Sequence, residues 1–375
     1  MNRFKFDFGT FLDTRSFDLN AKTNWVLIRL VAAIAVIYGH SFGMFRMVGH
    51  QDITIKWIAH GITYSGEIAV IVFFFMSGAV VSGSLLNSRP TSFLVKRITR
   101  LLPGLLICLI LTSLITISLF PSIGFLNPVK YVVLNILNTF NVGQLPSMGG
   151  ISLFEIPGAF VDHNYVAVNG SLWTLPQEFR LYFVILIASL FSSKFGKRQF
   201  LGTNIFLLFM LIHSPSLVPL IGKDVAMLGN KDAVMNSIFF IVGSIVYIIE
   251  IDRLKSYILA IFGLGIYISW LNMQNRHLIF FLAIVFLVTG VSKLKPLTKI
   301  NLPGDYSYGI YLYGWPSGQI LFFFCPTLSP ELACVYSIFI ALFFAVPSWH
   351  FVEKPCLQFV KKKLKQMNRG DQNEK

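Results

Sequence analysis

Apolar stretches of about twenty residues recur along the chain, separated by short polar segments, and each is close to the length that a bilayer requires. They predict ten spans, at approximately 25–45, 68–86, 101–120, 172–192, 200–219, 233–250, 256–272, 277–292, 306–325 and 332–351. The segment 129–142 (VKYVVLNILNTFNV) is shorter and rich in asparagine, which predicts an interfacial or re-entrant piece rather than a crossing. The expected fold class is therefore all-α, a polytopic transmembrane helical bundle. It divides into a polar N-terminal segment (1–24), a transmembrane domain (25–353) and a basic tail (354–375). The first segment lacks a short apolar core followed by a small-residue cleavage site, so the first span is expected to be an uncleaved anchor.

Composition agrees with the pattern. Of 375 residues, 55% are hydrophobic and 13% charged, about half the charged share of a soluble domain. The net charge of +14 would suit nucleic acid, but its distribution argues against that partner. With the N-terminus inside, only Arg46, Lys56, Lys130, Lys223, Lys231 and Arg276 fall in outer segments, and Arg29 and Arg180 fall within spans. The other lysines and arginines lie inside, as membrane orientation demands, and both termini are expected to be cytoplasmic. The tail motif KKKLK is expected to lie against anionic membrane lipid. One long outer loop runs from about Pro121 to Gly170, a length more often functional than connective. Cys325 and Cys334 flank a short loop and could pair if it faces an oxidising compartment. No metal-ligand spacing occurs.

Candidate chemistry starts in the first span. Arg29 and His40 are eleven residues apart, so on a helix they share a face with an offset of about 20° and stand about 16 Å apart along the axis. An arginine within the bilayer is costly, so this face is expected to look into protein or a wet cavity. A basic run, FLVKRITRLLPG, places Lys96, Arg97 and Arg100 at the inner entrance of the third span. Together with Arg29 these cations suit a phosphorylated ligand, because guanidinium binds phosphate oxygens in pairs. In NGSLWTLPQEFRLY, Trp173 suits the interface, and Glu178 and Arg180 lie just inside it. Glu67, at the outer start of the second span, is a carboxylate at a depth similar to His40. PGDYSYGIYLYGWP, which includes Tyr311, has the glycines and tyrosines of a closely packed helix with a polar face.

These residues resemble the signature of the acyltransferase-3 superfamily of integral membrane acyltransferases. The likeness rests on Arg29 and His40 spaced as Arg-X10-His, FFFMSG (73–78), the run ending in Arg100 and Pro103, SLWTLPQE (171–178), DYSYGIYLY (305–313) and VEKP (352–355). It implies transfer of an acetyl group from cytoplasmic acetyl-CoA to a sugar hydroxyl across the bacterial inner membrane. The acceptor would be a surface polysaccharide, such as O-antigen or capsule, or its lipid-linked precursor. By the resemblance His40 is the catalytic histidine and Arg29 its partner, with Arg97 and Arg100 meeting the CoA moiety. Arg29 and Lys96 complete the expected donor site. Glu178 or Glu67 is expected to orient the imidazole or bind sugar, with Trp173 and Tyr311 on the acceptor side. Where many members read Tyr-Leu-X-His, this chain has Tyr311, Leu312, Tyr313 and Gly314. Some members also carry an outer hydrolase-like domain, whereas here only a short tail follows the last predicted span. The competing reading is a transporter or flippase for lipid-linked sugar with Arg29 and His40 in its path.

Overall fold

The computed structural model describes residues 24–86, 88–140, 153–192, 196–213, 231–269 and 276–373. All but the last residue of the expected N-terminal segment therefore lies outside the described residues, as do parts of the outer loop and of the predicted spans 200–219 and 256–272. The described residues form helices and turns with no strand.

The helices are α1 (Trp25–Met44), α2 (Ser65–Leu86), α3 (Pro90–Leu119), α4 (Leu126–Phe140), α5 (Thr174–Ser192) and α6 (Lys197–Ile212). They continue with α7 (Lys231–Ile248), α8 (Arg253–Ser269), α9 (Arg276–Val291), α10 (Ser307–Phe324), α11 (Pro330–Pro347) and α12 (Lys354–Asn373). A helix overlies each of the ten predicted spans, but fewer meet the demands of a crossing. Among the described residues, five helices are long and apolar enough: α1, α2, α3, α7, and the continuous run Pro330–Met367. That run joins α11 to α12 through a π-helical turn, Ser348–Glu353, so what reads as a separate tail begins as the extension of the last helix. The other predicted spans coincide with helices that are shorter or more polar. The described part of the 129–142 segment lies in the 15-residue α4, too short to cross, with Tyr131, Leu134 and Asn135 buried and Val133 and Leu137 exposed.

Caps explain several helix starts. Asn24 accepts from the Leu27 amide at 3.0 Å at the head of α1, and its own amide donates to the Leu297 and Ile300 carbonyls at 2.6 and 2.8 Å. One side chain thus starts α1 and ties it to the turn before α10. Ser329 caps α11 with Pro330 at its first position, where a missing N–H costs nothing.

Close packing comes from small residues. A Cβ on Gly78 would stand 1.8 Å from the Phe240 carbonyl oxygen, and one on Gly243 would stand 1.9 Å from that of Phe75. Helices α2 and α7 therefore meet backbone to backbone, and Ser82 and Ser244 bond hydroxyl to hydroxyl across them at 2.6 Å. Helix α10 is buried from Ser307 to Gln319. Its Gly314 lies against Ile37 of α1 and its Gly309 against Ala345 of α11. The glycine- and tyrosine-rich motif is thus the middle of the bundle, and α1, α2, α3, α5, α7 and α10 surround two cavities.

Candidate active site

The two adjacent cavities lie beside α1, and each holds one of the polar side chains singled out in its sequence. The first has a volume of about 110 Å³ and is lined by Arg29, Arg97, Arg100, Ser77, Glu178, Tyr182 and Tyr308 among others. The second, of about 100 Å³, is lined by His40, Tyr64, Glu67, Trp173, Asp232 and Asn236 among others. Val70 of α2 and Tyr311 of α10 line both. The shared face expected of Arg29 and His40 thus looks into protein cavities.

The arginine cavity is organised by Asp305, in the turn just before α10. One carboxylate oxygen accepts from Arg29 at 2.9 Å and from Arg100 at 2.8 Å, and the other accepts from the Ser307 hydroxyl at 2.6 Å. Burial opposes ionisation of Asp305, but Arg29, Arg100 and the Ser307 bonds outweigh it and hold the carboxyl below its ordinary range. Arg100 also reaches Glu353 at 3.6 Å and lies over the rings of Tyr308 and Trp349. Arg97 differs. It is 9% exposed, lies 5.9 Å from the ring centres of Phe93 and Tyr182, and makes no ion pair among the described residues. Its Nε is buried with no hydrogen-bond partner, an arrangement costly enough to point to an anion as its complement.

The histidine cavity has different chemistry. The His40 ring meets Trp315 edge-on with centroids 4.7 Å apart, and the Trp315 indole donates to the Ala167 carbonyl at 2.9 Å. His40 Nδ1 is buried without a hydrogen-bond partner, and among the described residues neither ring nitrogen is bonded to another side chain or to backbone. Glu67 accepts a short hydrogen bond from Thr63. The Asn236 amide donates to Gln177 at 3.0 Å. Between the cavities, the Tyr311 hydroxyl shares a bond with Thr174 at 2.6 Å and donates to the Ser171 carbonyl at 2.9 Å. Its ring is edge-on to Phe73.

Most of the residues singled out in the sequence gather here, and two of them lie elsewhere than expected. Lys96 does not line the arginine cavity. Its ammonium donates to Ser88 at 3.0 Å on another face of α3, while Arg97 and Arg100 line the cavity. Glu178 does not face His40. It accepts from Ser77 at 2.8 Å and Tyr182 at 2.6 Å within the arginine cavity, and Glu67 is the carboxylate that shares a cavity with the histidine. Cys325 and Cys334 are both free thiols, one exposed and one buried. Asp305, Tyr182, Asp232 and Asn236 were not singled out from the sequence. For Asp305 a signal existed, since an arginine within a span, as Arg29 is, calls for a counter-charge.

The chain is similar to a protein named O-acetyl transferase from Shigella phage Sf6, 28% identical over 358 residues, which cover 87% of this chain and 93% of that protein. No solved structure matches it. The sequence pattern of the family described as an acyltransferase domain matches residues 23–352, from the head of α1 to the π-helical turn after α11. The chain belongs to that family, the acyltransferase-3 type.

Proposed function

We propose that this protein is a membrane O-acetyltransferase. It takes an acetyl group from acetyl-CoA on the cytoplasmic side of a bacterial inner membrane. It delivers that group to a sugar hydroxyl of a surface polysaccharide, or of its lipid-linked precursor, on the outer side. The observation that carries the reading is the pair of cavities meeting at Val70 and Tyr311, guanidinium groups in one and an unbonded imidazole in the other. The relative named O-acetyl transferase supports the same chemistry.

Arg29, Arg97 and Arg100 would hold the donor's phosphates, and the unbonded Nε of Arg97 is the clearest fit to one. Acetyl-CoA supplies the acyl group already activated as a thioester. His40 acts as general base through Nε2, since Nδ1 is buried. Nε2 takes the proton of the acceptor hydroxyl while its oxygen attacks the thioester carbonyl carbon. The carbon–sulfur bond breaks, and the departing thiolate takes the proton back. Glu67 and Trp173 would hold the sugar, the carboxylate by its hydroxyls and the indole by a ring face.

The test is the mass of the host's surface glycan with the wild-type protein and with His40→Ala. The variant is expected to lose one acetyl mass per modified repeat unit while glycan amount stays constant. Loss of the glycan itself would favour transport of a lipid-linked sugar and overturn the proposal.

A further inference from the structure

We infer that Val70 sets the length of the acyl chain this protein transfers, confining it to short acyl groups. The inference rests on the proposed function, in which the donor enters by the arginine cavity and its acyl group reaches His40. Any such group passes the two side chains that line both cavities, Val70 and Tyr311. Tyr311 is fixed at its hydroxyl by Thr174 and Ser171 and at its ring by Phe73, 5.7 Å away at 72°. Opening that side would break two buried hydrogen bonds. Val70 lies inside α2 and is 8% exposed. A valine in a helix holds one χ1 rotamer about nine times in ten, so its methyl groups cannot swing aside as a leucine or methionine could. The passage is thus rigid on both sides, and the valine methyls are the part of it that a substitution can remove without breaking a hydrogen bond. Beyond it, the histidine cavity must also admit the acceptor hydroxyl, so the acyl group does not have that space to itself.

The experiment uses membrane vesicles from cells that make the surface glycan and express the full chain, supplied with acetyl-, propionyl- or butyryl-CoA. Acyl groups on the glycan are read by mass spectrometry. The wild type is expected to prefer acetyl over butyryl, and Val70→Ala to raise the butyryl-to-acetyl ratio. A single methylene in a fitted pocket is worth roughly 10–200-fold, which sets the least size of the rise. A gain on the longer donor cannot come from misfolding. Val70→Phe is expected to lower transfer from all donors while CoA still protects the chain from thermal unfolding. If the wild type transfers acetyl and Val70→Ala leaves the ratio unchanged, the assignment of Val70 is wrong and the functional reading stands. If the wild type transfers no acyl group from any of these donors, the functional reading fails and the inference with it.

Discussion

Replacing Asp305 with asparagine tests the polar centre of the protein most directly. The change keeps the side chain's shape and its capacity to accept from Ser307, but removes the charge that two arginines share. Arg100 keeps Glu353 at 3.6 Å. Arg29 has no second carboxylate within ion-pair distance among the described residues, and its side chain is 20% exposed. Breaking a buried ion pair by removing one partner costs about 3–5 kcal/mol, because a charge is left uncompensated. The residual bonds of Arg100 place the expected loss near about 3 kcal/mol. The assay is unfolding of the purified full chain in detergent, without and with CoA. Without ligand the variant should unfold at distinctly lower temperature than the wild type. With CoA the difference should shrink, since phosphate oxygens would then supply the missing acceptors. The pH dependence has a definite sign. A carboxyl whose folded pKa is depressed stabilises the fold fully above its ordinary value of 3.8 and loses that contribution as pH falls through the lower folded value. The gap between wild type and variant should therefore stay constant from about pH 5 to 8. An unchanged unfolding temperature, or a gap that closes with a midpoint near neutrality, would show that Asp305 is not the shared counter-charge.

Other substitutions separate the same groups. His40→Ala should lower acetyl transfer by roughly 10²–10⁴-fold with little loss of folded protein, since among the described residues neither ring nitrogen is hydrogen-bonded; transfer rate and yield after detergent extraction report the two effects. Arg97→Ala should weaken the donor, seen as a raised KM for acetyl-CoA, whereas Lys96→Ala should leave that KM unchanged because Lys96 is turned to Ser88. Equal effects from the two would contradict the geometry. Gly243→Ala should sharply reduce folded protein, because the added methyl would stand 1.9 Å from the Phe75 carbonyl oxygen where two helices meet; a normal extraction yield would refute backbone contact there.

How much of this was legible in the sequence depended on whether the signal was local. Helix positions were legible because an apolar run sized to the bilayer is a property of neighbouring residues. The shared face of Arg29 and His40 followed from helical spacing alone, and the packing of α10 followed from its glycines and tyrosines. Rotation about a helix axis was less legible. Residues 96, 97 and 100 place cations on more than one face, and only the packing of α3 selects Arg97 and Arg100 for the interior. Depth along a span likewise did not say that Glu178 faces the arginines and Glu67 the histidine. Asp305 is the clearest case. It follows a Pro-Gly pair and reads as loop polarity, and its arginine partners are 276 and 205 residues away in sequence. No periodicity carries information across that distance.

The arrangement also accounts for how a cluster of cations persists inside an apolar bundle. Arg29, Arg97 and Arg100 are matched in formal charge by Asp305, Glu178 and Glu353 within the same region. The balance is uneven in contact, though. Asp305 takes two arginines, Glu353 takes a second contact from Arg100, and Glu178 is bonded by hydroxyls of Ser77 and Tyr182. Arg97 is consequently neutralised at a distance while its Nε stays unbonded. A site balanced in total charge but unsatisfied at one guanidinium can fold without ligand and still gain from an anion. On the proposed function that gain falls on the side of Val70 from which the donor must come. The imidazole on the other side stays out of reach of the carboxylates that hold the arginines. On that reading, charge compensation and proton transfer fall to separate cavities, so a change in one can be read apart from the other.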